Sequence, residues 1–121
     1  MKTYIETQKK ASNSGEMQDY LAHSIGVSDD LQTVVLTIRS ESFDGAKRIL
    51  EFYIDGEGLD GGTKTFSVDE LNREQNTITL KGSLSDILDC LQVSEIISQR
   101  TTEQIKAEAQ LNVDRLVPAP H

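Results

Sequence analysis

Tryptophan is absent from the 121-residue chain, and its aromatic residues are three tyrosines and three phenylalanines. So sparse a set gives no stacking platform for single-stranded nucleic acid and leaves the core to Ile, Leu and Val. A single cysteine, Cys90, excludes an intramolecular disulfide and a thiolate metal cluster within one chain. The two histidines, His23 and His121, have no metal-binding spacing. No apolar run approaches the roughly 18 residues that suggest a membrane span. Met1 to Lys10 is polar, without the apolar stretch of a secretory signal. These absences predict synthesis in a reducing cytoplasm.

Positive charge is also short. Twelve Lys and Arg face twenty Asp and Glu, for a net charge of −8 and a pI near 4.6. Such a field repels phosphate backbones and anionic lipid, so neither nucleic acid nor membrane is an expected partner. A basic protein surface remains compatible, as does charge that serves only solubility.

What is present is a patterned chain of one domain's length. The spacing predicts a helix over 16–25, with Met17, Tyr20, Leu21 and Ile25 on one face. Alternation predicts a strand over 33–39 with Val34, Leu36 and Ile38 inward, then a turn at Asp44-Gly45. A second strand follows over 47–54 with Leu50, Phe52 and Ile54 inward, the two forming a hairpin. Strands over 63–68 and 76–81 flank a polar turn at 69–75. Gly82 closes the β region, and Ser83 with Asp86 opens a helix carrying Leu84, Ile87, Leu88 and Leu91. Val93, Ile96 and Ile97 fit either another helical turn or a strand. Thr101 and Gln104 have capping spacing for a last helix, which Pro118 and Pro120 end. The expected fold is α+β: an antiparallel sheet or small β-sandwich of about four to six strands, with short helices toward the two termini. The expected organisation is an N-terminal arm over 1–15, one domain over 16–116 and a C-terminal tail over 117–121.

Reactive groups have plain alternatives. Gly56, Gly58 and Gly61 satisfy G-x-G-x-x-G spacing, but the next segment is strand-like and offers no helix N-terminus to a pyrophosphate. Asp55, Glu57 and Asp60 are calcium-type oxygen ligands in the same loop. An acidic turn between strands is the simpler account, and no other cofactor is expected. Cys90, between Asp89 and Leu91, reads as a core residue whose thiol a neighbouring carboxylate disfavours ionising.

The segment from Asn76 to Leu91 (NTITLKGSLSDILDCL) resembles the closing part of cadherin-like, immunoglobulin-like β-sandwich modules found in phage tail and baseplate proteins and bacterial surface proteins. An alternating strand runs into Gly82, Ser83 caps a short helix, and Ile87 and Leu91 plug the end of the sandwich. The likeness reaches back to about residue 32. The chain departs from it at 92–96, where the family returns into a strand, and at both ends. The resemblance implies a non-enzymatic structural protein of a phage virion (tail, baseplate or decoration) that forms homo-oligomers or binds neighbouring virion proteins. Tyr4, Ile5, Tyr53, Leu116 and Val117 are the expected contact residues. The alternative is a small acidic inhibitor or immunity protein that binds a basic enzyme or toxin.

Overall fold

The computed structural model describes the backbone of residues 1–6, 9–10, 17–18, 20–54 and 65–116, and the side chains of residues 1–6, 20–54 and 65–110. In chain order the elements are β1 (Lys2–Ile5), β2 (Lys9–Lys10), β3 (Met17–Gln18), β4 (Ala22–Val27), β5 (Thr33–Ile38), α1 (Phe43–Ile54), β6 (Phe66–Asn72), β7 (Thr77–Gly82), α2 (Leu84–Val93) and α3 (Gln99–Leu116). Five strands make one antiparallel sheet in the order β1-β4-β5-β7-β6. β2 and β3, which lie between β1 and β4 in the chain, pair with each other in a separate two-stranded sheet. The fold is α+β, with an open antiparallel sheet layered against helices.

Register explains the layering. Tyr4, Ile25, Leu36 and Ile78 stand side by side across four strands, and Val27, Val34 and Leu80 across three. All are buried, and they share one face because strand side chains alternate. Onto that face pack Phe43, Ala46 and Leu50 of α1, Ile87, Leu88 and Leu91 of α2, and Ile105 of α3. Each fully buried aliphatic side chain contributes about 1.5–3 kcal/mol. The ion pair between α2 and α3, Lys106–Asp89 at 2.7 Å, is exposed and contributes about 1 kcal/mol at most. The core holds the fold.

Several expected elements differ. None of the described residues of 16–25 is helical. Met17–Gln18 and Ala22–Val27 are strands. A register shift between Ala22 and Ser24 breaks the alternation of β4, which is why its apolar residues mimic a helical stripe. The hairpin expected from 33–39 and 47–54 is absent because residues 43–54 are helical. Phe43, Ala46 and Leu50 fall at helical spacing and are buried, whereas Phe52, expected inward, is 47% exposed. Asp44-Gly45, expected as a turn, lies in the first turn of α1, where an acid complements the helix dipole. β6 starts at Phe66 and runs through Asn72, so half of the expected polar turn is strand. Its acids are tolerated at a sheet edge, where Asp69 and Glu70 are exposed. Lys2–Ile5, placed in the expected N-terminal arm, is an edge strand of the sheet.

The stretch 76–91 forms as expected. β7 ends at Gly82 (φ 140°), where a Cβ would lie 2.3 Å from the Thr65 carbonyl oxygen. Ser83 caps α2, its hydroxyl accepting from the Asp86 N–H at 3.4 Å. Ile87 and Leu91 are buried between α2 and the sheet, and the described strands make, besides the five-stranded sheet, only the two-stranded β2-β3 pair. Val93 is the last residue of α2, and beyond it Ile96 and Ile97 extend neither helix nor strand. Glu95 adopts φ 60°, and the Glu95 and Ile96 N–H groups bond back to Gln92 and Leu91 carbonyls. This left-handed cap turns the chain and drops Ile96 beside Leu91, both fully buried. α3 begins two residues before the expected Thr101, because Ser98 is its cap: the Ser98 hydroxyl accepts from the Thr101 N–H at 3.1 Å.

Candidate contact surface

The helices cover one face of the sheet and leave the other to β-branched and small residues. Across it run Thr3, Gly26, Val35 and Thr79, and beside them Ile5, Ser24, Thr37 and Thr77. Val35, Thr37, Thr77 and Thr79 are half-buried by one another, and no described helix lies over them. The acids and bases of this face stand on β6 and at the end of β7, as Glu70 and Lys81. The middle of the sheet is therefore neutral on a chain of net charge −8. Alternation produces this directly: Thr and Val suit a pleated surface, and every second residue of β5 and β7 must point away from the core.

The expected contact residues are scattered. Ile5 is 67% exposed. It helps line a cleft of about 600 Å3 with Tyr20, Glu95, Ser98, Arg100 and Gln104, where β1 meets the junction of α2 and α3. Tyr4 points the other way, which corrects its expected role: it is 7% exposed and its hydroxyl donates to the Glu108 carboxylate. Burial first, and that carboxylate second, push the Tyr4 phenol well above its ordinary range. Tyr53 is half-buried on α1, its ring edge-to-face with Phe52 at 5.5 Å, and belongs to a separate shallow apolar groove with Ile49 and Ser94. Leu116 is the last residue of α3, and its side chain lies outside the described residues, as does Val117. The calcium-type ligands Asp55, Glu57 and Asp60 also lie outside them.

The groups with chemical potential are occupied or remote from one another. Cys90 is fully buried, and burial pushes its thiol up to about 11. His23 is exposed on β4. Glu6, the one buried acid among the described residues, accepts from the Ser98 N–H at 3.2 Å and the Ser98 hydroxyl at 3.3 Å. Among the described residues no buried side-chain polar atom lacks a partner, and no three His, Cys, Asp or Glu side chains are grouped to hold a metal ion. No described helix is long and apolar enough to cross a membrane.

Sequence reasoning missed Glu6, Ser98 and Glu108. Ser98, three residues before Thr101, was a readable cap. The pairing of residue 6 with residue 98 had no local signal. No family model, no curated protein and no solved structure matches the chain.

Proposed function

We propose that the chain is a non-enzymatic assembly protein, a structural component of a phage particle, that works by protein–protein contact through the open face of its sheet. One observation carries the reading. On an acidic chain, the centre of this face is a band of uncharged Thr and Val residues fixed in register across the sheet. Interface cores are depleted of charge and tolerate half-polar residues, and a sheet presents such groups with little side-chain entropy to lose. Val35, Thr37, Thr77 and Thr79 are the expected centre, with Ile5 at the margin. The phage setting draws support from the strand–Gly82–Ser83–helix junction, which resembles that of tail and baseplate modules.

The test is direct. Particles induced from the source strain are purified on a density gradient and their proteins quantified by mass spectrometry. The chain is expected at a fixed stoichiometry to the other particle proteins. Its absence from particles, while it is abundant in the lysed cells, overturns the phage reading. A Val35→Glu, Thr79→Glu double variant is expected to fold with wild-type circular dichroism and to be lost from the particles.

A further inference from the structure

The two edges of the sheet are built differently. β6 carries a register shift between Val68 and Glu70 and exposes Asp69 and Glu70, features that turn other strands away. β1 carries no bulge, and its one basic residue, Lys2, reaches across to Glu108 at 2.7 Å. The Glu6 N–H bonds to the His23 carbonyl at 3.0 Å. In an antiparallel ladder this places residues 2, 4 and 6 in hydrogen-bonded pairs with β4 and turns the N–H and C=O groups of Thr3 and Ile5 outward. These outward groups have no hydrogen-bond partner among the described residues. Two of the exposed large apolar side chains, Met1 at 62% and Ile5 at 67%, flank them on the open face.

We propose that β1 pairs antiparallel with β1 of a second copy, joining two sheets into one. The strand is self-complementary in a single centred register. A twofold axis perpendicular to the sheet keeps like faces together and sets Tyr4 opposite Tyr4 of the second copy. Thr3 then exchanges both backbone hydrogen bonds with Ile5 of the second copy, outward group to outward group. In the same register Lys2 lies opposite Glu6 of the second copy on the helix side, so no like charges meet across the seam while Lys2 stays on Glu108 and Glu6 on Ser98. On the other side Ile5 packs beside Thr3, covering apolar surface next to the neutral band. The proposal rests on the reading of the chain as an assembly protein and names its first partner as itself.

Sedimentation equilibrium across a concentration series should show mass rising from 13.4 kDa toward twice that value. Amide exchange at Thr3 and Ile5 should slow as concentration rises, while amides of β6 keep their rates. Thr3→Pro removes an N–H that the β1–β4 ladder does not use, and is expected to weaken dimerisation roughly ten- to hundredfold. Ile5→Lys is expected to do likewise without prolyl constraint, and an unchanged urea midpoint in either variant shows the fold intact. A wild-type monomer at every concentration overturns the proposal. So does a dimer of undiminished affinity in both variants, or one whose Thr3 and Ile5 amides are unprotected. Dimerisation by a chain absent from phage particles sinks the virion reading alone, and a monomer that enters particles sinks the pairing alone.

Discussion

The carboxylate of Glu6 closes the N-terminus of α3 from across the molecule, accepting from both the backbone N–H and the hydroxyl of Ser98. Ten residues further along α3, Glu108 meets Lys2 and Tyr4. The geometry is a matter of rise. Ten helical residues advance about 15 Å and four strand residues about 13 Å, so β1 and α3 run antiparallel and are clipped at both ends. Glu6→Ala takes the acceptor from the Ser98 N–H at a half-buried helix start and is expected to cost about 1 kcal/mol, read as a lowered urea midpoint with unchanged slope. Glu6→Gln keeps an acceptor but loses the charge that favours a helix N-terminus, and should fall between. Equal midpoints for all three proteins would show that the clip contributes nothing.

The far end of the clip sets a pH dependence. The Lys2 ammonium first, and the Tyr4 hydroxyl second, hold the Glu108 carboxyl below its ordinary value of 4.5. Its contribution is therefore present above that value and lost as pH falls through the folded pKa. Tyr4 has the opposite sign. Its folded pKa lies above 10.0, so its contribution is whole below pH 10.0 and lost as pH rises through the folded pKa. Thermal midpoints followed with pH should show Glu108→Gln flattening the acid limb and Tyr4→Phe flattening the alkaline one. Tyr20, raised by burial and then by Glu6 and Glu95, should leave a residual alkaline slope in Tyr4→Phe. Parallel curves for variant and wild type would remove this clip from the account.

Local signals were legible in the sequence and distant ones were not. Ile78 and Leu80 alternate without interruption, and Ser83 caps the helix directly after them, so β7 and α2 could be placed to within a residue or two. β4 was hidden by the register shift between Ala22 and Ser24, which spoils period two at the place where a period must be chosen. α1 was misjudged because Leu50, Phe52 and Ile54 alternate while Phe43, Ala46 and Leu50 also lie at helical spacing. Burial of Ala46 and exposure of Phe52 decide for the helix. Strand alternation sets Tyr4 and Ile5 on opposite faces of β1, but only α3 determines which face is covered. The open face is half visible in the sequence: alternation within 76–81 puts Thr77 and Thr79 opposite Ile78 and Leu80, while their alignment with Val35 and Thr37 needs the register of β5 against β7.

Two glycines make a paired test of backbone geometry. Gly82→Ala would place a Cβ 2.3 Å from the Thr65 carbonyl oxygen and 2.6 Å from the Phe66 Cα, at φ 140°. Both obstacles are backbone, at the first residue of the paired strand β6 and the residue before it, so the start of the strand must move, and a loss of about 3 kcal/mol or more is expected. Gly45→Ala meets no atom within 4 Å on an exposed position of α1, and is expected to stabilise by about 0.5–1 kcal/mol through helix propensity. Chemical denaturation of the two variants checks both signs. A tolerated alanine at residue 82 would mean that β6 and β7 are not joined as described.

Cys90 reports on whether α2 ever leaves the core. The thiol is fully buried, and with its pKa pushed up to about 11 only about a thousandth is thiolate at pH 8. Both factors vanish when α2 detaches, so alkylation by iodoacetamide must proceed through an opened state. If opening is global, the labelling rate in native buffer follows the unfolding equilibrium. Gly82→Ala and Glu6→Ala should then accelerate it, about tenfold for each 1.4 kcal/mol of stability lost, and Gly45→Ala should slow it. Prompt labelling of the wild-type chain, at a rate indifferent to these substitutions, would show instead that α2 opens by itself. The stability differences above would then have to be measured by a probe in the sheet, because the helix would no longer stand for the whole fold.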